Sequence, residues 1–191
     1  MMRTILAAIA GGAALFLWSF LSWVVLPIHS RTISQIPQEE AVIWTMHSNI
    51  TAPGVYFFPG LDAAGQKDPA AMAAWTEKYE RGPIGFIVYS PAGNTPFNPG
   101  ALAFSFLIGI FSAGIGIWLF HRSTAIESGY FAGVSFFGMI GILICLAVYL
   151  QEWIHMKYPL AYSLAFCTDA VVGWFLMGAA VVPILNRGRK K

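Results

Sequence analysis

The sequence predicts an all-α membrane protein: a bundle of four transmembrane helices, with a small mixed α/β domain outside the membrane between the first and second helices. Of 191 residues, 57% are hydrophobic and 10% are charged, whereas soluble domains carry about 25% charged residues. Segments 5–26, 100–120 and 129–150 contain no charge, and Asp169 is the only one in 160–185. Each segment is long enough to cross about 30 Å of hydrocarbon as a helix.

The first segment, 1–27, is predicted to be an uncleaved transmembrane helix. Met1-Met2-Arg3 before an apolar run is also how a secretory signal begins. The run continues to Val25 without a charge, which exceeds the roughly 7–15 apolar residues of a cleavable signal. We therefore expect it to remain as a membrane anchor.

The segment 28–99 is too long for a simple connection and carries its own structural signals. Proline and acidic residues at 37–40 are typical of a helix start, and Asp68-Pro69 is typical of a second one. Pro-Gly pairs bound an aromatic run that favours a strand. We expect an outer domain with helix 37–47, strand 55–58, helix 70–81 and strand 84–89.

Three later transmembrane helices are predicted at 100–120, 129–150 and 160–185, followed by a basic tail, 186–191. Small residues at four-residue spacing allow helix backbones to approach closely, which drives helix association in lipid. The residues expected to form these packing interfaces are Gly109, Ala113, Gly133, Gly141, Ala165, Asp169 and Gly173.

Orientation is predicted from the distribution of Lys and Arg. With a cytoplasmic N-terminus, the inner segments hold six Lys or Arg and one acid, whereas 28–99 holds four Lys or Arg and six acids. By the positive-inside rule, both termini are cytoplasmic and 28–99 lies outside the cell (inner) membrane. The basic tail suits anionic lipid headgroups. The expected partners are the lipid bilayer and a membrane protein or second copy of the chain, and nucleic acid is excluded.

Asp169 is the most informative residue, because a carboxylate inside a membrane is costly and usually marks function. No Lys or Arg lies at a similar depth in the sequence, so we expect it to be protonated or hydrogen-bonded. The hydroxyls available to it are those of Ser19, Ser22, Ser112 and Thr168. Three roles remain open: a hydrogen bond between helices, a site for a proton, substrate or ion, and a contact with another subunit.

A second group of polar residues flanks the predicted outer ends of the helices. Glu152 and His155 share one helical face, as do Glu40 and His47, and with His29 they are candidates for a metal site. One Glu-x-x-His pair is weak evidence, since di-iron bundles use two pairs and further carboxylates. We therefore favour polar residues at headgroup depth and expect no metal or other cofactor.

The two cysteines, Cys145 and Cys167, fall within predicted helices at similar depth. We expect them to be packing residues, with a redox pair as the alternative. The sequence contains no phosphate-binding loop, dinucleotide fingerprint or nucleophile elbow.

The order of segments resembles the claudin and peripheral-myelin-protein architecture in topology. Those proteins carry a Trp-Gly-Leu-Trp stretch and two cysteines in the first outer segment, and 28–99 contains neither. No family membership or residue role is inferred from the resemblance.

The function expected from these features is that of a non-enzymatic accessory or interaction subunit of a membrane complex. The first alternative is a membrane-embedded enzyme or proton-coupled carrier that uses Asp169, assisted by Glu152 and His155. The second is an outer-face metal-binding protein. A cavity that reaches Asp169 favours the carrier or enzyme, whereas a dry helix interface favours the subunit.

Overall fold

The computed structural model describes residues 1–126 and 129–187; Glu127, Ser128 and tail residues 188–191 lie outside the described residues. Four helical segments are long and apolar enough to cross a membrane. They are Met2–Val25, Pro99–His121, Tyr130–Met156 and Leu160–Asn186. The prediction of four long apolar helices and a small sheet is confirmed.

The chain forms two compact units, Gln35–Pro96 and a helical unit made of Met1–Ser34 and Phe97–Lys191. The elements are α1 (Met2–Phe20), α2 (Glu39–Asn49), β1 (Gly54–Phe58), α3 (Pro69–Arg81), β2 (Gly85–Tyr89), α4 (Pro99–His121), α5 (Tyr130–Ile144), α6 (Leu150–Met156) and α7 (Leu160–Asn186). Two π-helical turns, Leu21–Val25 and Cys145–Tyr149, extend α1 and join α5 to α6. Short 3₁₀ turns lie at Gly65–Lys67 and Thr124–Ile126.

In the unit Gln35–Pro96, local signals set the ends of the helices. The Asp68 side chain accepts a hydrogen bond from the Ala70 N–H at 3.0 Å and caps α3. Gly82, with φ of 70°, ends that helix. The start of α2 differs from the prediction: the helix begins at Glu39, because Gln38 has a left-handed backbone with φ of 53°.

The two strands of this unit pair antiparallel, with Val55 opposite Val88 and Phe57 opposite Phe86. Side chains opposite each other share one face of a sheet. On that face the Phe57 and Tyr79 ring centroids are 6.4 Å apart, so α3 covers the end of the sheet near Phe57. The Val55 and Val88 side chains, 67% and 81% exposed, are left uncovered.

In the helical unit, α7 packs against both α1 and α5, and α1 also packs against α4. These contacts bring backbones together at glycines. A Cβ on Gly12 would lie 2.7 Å from the Ile110 nitrogen, and one on Gly141 would lie 2.7 Å from the Ala170 carbonyl oxygen. Both distances are too short for any side chain, so α1–α4 and α5–α7 approach through glycine.

The residues predicted to pack helices lie as follows. Between α1 and α4, Gly109 faces Gly12 and Ala113 lies beside Gly11. Between α5 and α7, Gly133 faces Val182 and Gly141 faces Ala170. On α7, Gly173 faces Trp18, Ala165 is buried, and Asp169 is hydrogen-bonded to the π turn that extends α1 and to the turn after it. The glycines of α1 that receive two of these contacts were not among the predicted residues.

The buried core occupies one end of the bundle, which we call the packed end. Its members come from the start of α1 and α5 and from the end of α4 and α7: Ala7, Ala113, Ile117, Phe120, Phe137, Met177, Val181, Val182 and Leu185. Arg3 Nη1 donates a hydrogen bond to the Arg187 carbonyl at this end. The opposite end, which holds Trp23, Tyr149 and Phe166, contains a cavity, and we call it the cavity end.

We predict that Gly141→Ala destabilises the bundle by about 1–3 kcal/mol, because the new methyl group would overlap the Ala170 carbonyl and force the helices apart. Gly114→Ala is the matched control, since a Cβ there meets no atom within 4 Å. Thermal unfolding in detergent should show a clear loss for the first variant and none for the second. Equal stability of the two variants would contradict the glycine contact.

Candidate functional site

The Asp169 carboxylate is the centre of a hydrogen-bonded cluster. Ser22 Oγ donates to Asp169 Oδ1 at 2.5 Å, and His29 Nε2 lies 2.7 Å from Asp169 Oδ2. Ser22 and His29 are 0% and 2% exposed, whereas the Asp169 side chain is 18% exposed. The two partners are therefore sealed in the protein, and the acid alone keeps access to its surroundings.

The end of α1 is shaped to bring both partners to Asp169. The helix widens into a π-helical turn, in which the Leu26 N–H donates to the Leu21 carbonyl at 2.8 Å. A tight turn follows, closed by Thr32, whose N–H and Oγ1 both donate to the His29 carbonyl at 2.9 Å. The chain thereby folds back and buries His29. Such π turns often occur at functional sites.

Aromatic rings hold the imidazole in place. The Trp23 and His29 rings are stacked, with centroids 3.9 Å apart and planes 8° apart. Phe166 meets His29 edge-on at 5.0 Å and Trp23 edge-on at 5.8 Å. Phe166 lies on α7, one turn before Asp169. The ring orientation is therefore fixed from both α1 and α7.

A cavity of about 300 Å³ reaches the carboxylate. Its wall comes from three spanning segments, and Asp169 and Ser19 are its polar members. The aromatic members are Trp18, Trp23, Tyr149, Phe166 and Trp174. Gly173 permits this arrangement, since a Cβ there would lie 3.1 Å from Trp18 Cδ1. The helix interface at Asp169 therefore borders a small cavity that is lined in part by aromatic rings.

The order of the groups argues against a hydroxyl nucleophile. A catalytic serine donates its hydrogen bond to an imidazole, which a carboxylate then orients. Here the carboxylate lies between the other two groups, and no hydrogen bond joins Ser22 to His29 in the described ranges. The imidazole thus has no hydroxyl to deprotonate. The cluster can fix α1 to α7 and can present a carboxylate to the cavity.

The other predicted site residues lie apart from this cluster. Glu152 and His155 are on α6, half-buried and exposed, and neither is in the cavity wall. Glu40 and His47 are exposed on α2, and His47 Nδ1 lies 3.1 Å from the Tyr89 hydroxyl. Among residues 1–126 and 129–187, no group of three His, Cys, Asp or Glu side chains could hold a metal ion.

Cys145 and Cys167 form a disulfide between the π turn that follows α5 and α7. The expectation that they are separate packing thiols is wrong. Their similar depth, noted in the sequence, is what brings the two sulfur atoms together. The bridge lies at the cavity end and ties the segment that carries Tyr149 to the helix that carries Phe166 and Asp169.

Sequence reasoning found Asp169 and Ser22 but assigned His29 to a different group. The hydroxyl of Thr168 instead donates to the Leu164 carbonyl of its own helix. His29 follows a predicted span by only a few residues, and that proximity was the available signal. His29 is buried because the chain folds back after the π turn, and no residue pattern in the sequence predicts that turn.

Comparison with known proteins gives no relative: no family model matches the chain, and no curated protein or solved structure matches it.

We predict that the His29–Asp169 pair contributes a coupling energy of about 1–2 kcal/mol in a double-mutant cycle with alanine at both positions. Couplings between membrane helices average about 0.6 and reach about 1.7 kcal/mol; this pair is mostly buried and includes an ionisable group, so a value at or slightly above the top of that range is expected. The exposed Glu77–Arg81 pair, 3.9 Å apart, is the control, with an expected coupling of about 0.5 kcal/mol or less. Equal coupling energies for the two pairs would show that the His29–Asp169 contact does not stabilise the bundle more than an exposed ion pair does.

Proposed function

We propose that the chain is an integral protein of the cell (inner) membrane with both termini cytoplasmic and residues 28–99 outside. The excess of Lys and Arg on one side of the four spans supports this orientation. The Cys145–Cys167 disulfide supports it independently, because it lies at the cavity end, where Phe166, the neighbour of Cys167, contacts Trp23 and His29 at the end of the first span. Disulfides persist on the oxidising, non-cytoplasmic side of a membrane.

A reporter fused after Lys191 should therefore respond as cytoplasmic, whereas a tag inserted at Gly65, in a 3₁₀ turn of the outer unit, should be labelled in intact cells. The matched control is the same tag beside Ser123, in the short connection between α4 and α5, which should be labelled only after the cells are opened. External labelling at Ser123 would reverse the orientation.

Within this topology we propose a non-enzymatic role as an accessory or interaction subunit. The observation that carries the proposal is the poor burial of the unit Gln35–Pro96. The structure describes all of its residues, and none is fully buried. Trp44, Val55 and Val88 are 71%, 67% and 81% exposed. Large apolar side chains left open on a domain outside the membrane are typical of a surface that meets a partner.

The most suitable contact is the uncovered end of the sheet, which we call the Val55–Val88 patch. The two valines are cross-strand neighbours on one face. The next pair on that face, Phe57 and Phe86, is packed at 4.8 Å, and Phe57, which is 37% exposed, also meets Tyr79 of α3 at 6.4 Å. A partner seated on the patch would continue this apolar layer. The proposed occupant is the outer part of another membrane protein.

The non-enzymatic part of the proposal is supported by the arrangement around Asp169. Ser22 and His29 each bond to the acid rather than to each other, and a carboxylate held in this way works as a fixed group. The alternative of a carrier keeps one specific observation in its favour, namely the cavity that reaches Asp169.

We predict that gentle extraction yields a complex larger than the 20.8 kDa chain, and that Val88→Lys reduces the fraction in that complex about tenfold. A lysine at this position would bury an unpaired charge in an apolar contact, which is strongly unfavourable, and a tenfold loss corresponds to about 1.4 kcal/mol. Thr76→Lys adds the same charge at another exposed position of the unit and should have no effect. Native electrophoresis with two differently tagged copies separates a foreign partner from self-association.

A wild-type chain that runs only as a monomer would overturn the proposed role. A Val88→Lys chain that unfolds at lower temperature but keeps its complex would assign the patch to internal packing.

A further inference from the structure

We propose that the cavity beside Asp169 binds a small organic cation of the ammonium class. The site joins two features that recognise such a ligand: a carboxylate fixed at one point of the wall and aromatic rings at half of the other wall positions. This inference goes beyond the proposed interaction role and does not depend on it, because every residue of the site belongs to the helical unit.

The aromatic wall is the first observation. Trp18 and Trp23 come from α1 and its π turn, Tyr149 comes from the second π turn, and Phe166 and Trp174 come from α7. The face of each ring carries negative potential, which attracts a cation within about 6 Å. Trp is the strongest of these rings. Quaternary and alkylated ammonium groups are the ligands that cages of this composition recognise.

The hydrogen bonding of Asp169 is the second observation. Ser22 Oγ donates to one carboxyl oxygen, and His29 Nε2 lies at hydrogen-bond distance from the other. Both oxygens can therefore act as acceptors, which is the arrangement of an ionised carboxylate. No Lys or Arg in the described residues pairs with the acid.

The carboxylate also has room for a further contact. Its two oxygens offer about four acceptor positions, and Ser22 and His29 occupy one on each oxygen. The two bonds hold the group at a fixed angle while its side chain stays in the cavity wall. A bound ammonium group would therefore meet a prearranged partner.

The size of the cavity limits the ligand. Its volume of about 300 Å³ is at the lower end of ligand pockets, which suits a small ammonium compound.

The test uses choline as the probe and its neutral carbon isostere, in which a quaternary carbon replaces the nitrogen, as the matched control ligand. The purified full chain in lipid nanodiscs is titrated by calorimetry and by tryptophan fluorescence, since three of its seven tryptophans lie in the wall. We expect choline to bind about tenfold or more tightly than the isostere, as a desolvated cation–π site requires.

Variants separate the two parts of the site. Asp169→Asn should weaken choline binding about tenfold or more while binding of the isostere is unaffected. Glu152→Gln, the same change outside the wall, should leave both affinities unchanged.

Tyr149→Leu removes a ring but keeps the charge, and should weaken choline binding about threefold or more. Tyr158→Leu, whose ring packs on Tyr162 outside the wall, is its control. If Asp169→Asn does not assemble, the tyrosine pair decides.

Three results would overturn the proposal. Equal binding of choline and its isostere would make the cavity an apolar pocket for lipid or another neutral molecule. Choline binding that survives both Asp169→Asn and Tyr149→Leu would locate the ligand elsewhere. If sodium displaces bound choline at a concentration below that of choline, the site prefers an inorganic cation, and the proposed ligand class is wrong.

Discussion

A carboxylate placed between apolar helices must find its hydrogen-bond donors inside the protein, because hydrocarbon offers none. Asp169 has one partner in the π turn that extends α1, Ser22, and one in the tight turn beyond it, His29. That requirement explains why the chain folds back after Leu26 and why His29 is sealed between Trp23 and Phe166. The local geometry of the cavity end thus follows from one acid, whereas the packed end is set by close helix contact.

The two ends of the bundle differ in how closely their side chains fill the space between the helices. At the packed end, contacts at Gly11, Gly12 and Gly133 let helices approach until side chains such as Val182 interlock. At the cavity end, each of two spans contains a π-helical turn, and large rings line a cavity beside the disulfide that joins α7 to the second π turn. Close packing stabilises one end of the bundle, while the other keeps the open volume in which a ligand can be bound.

The four spans were predictable because hydropathy and length determine them almost alone. The strands at 54–58 and 85–89 were readable because proline and glycine bound them. Only part of the candidate site could be predicted from the sequence. Asp169 stands out as an isolated charge, but its partner His29 is selected by a fold-back whose geometry depends on tertiary contacts. The disulfide was missed for the same reason, since depth along two helices does not reveal which faces meet.

Holding two helices together does not require an acid at position 169. An asparagine would accept and donate hydrogen bonds at lower cost, and hydrogen bonds between membrane helices contribute only modestly to stability. A carboxylate is costly to bury, and Asp169, with one partner on each oxygen, lies in the wall of a cavity that five aromatic residues also line. A structural role accounts for the bonds to Ser22 and His29, but not for the charge or for the open volume beside it. Those two features are explained together when the negative charge meets a cation in the cavity.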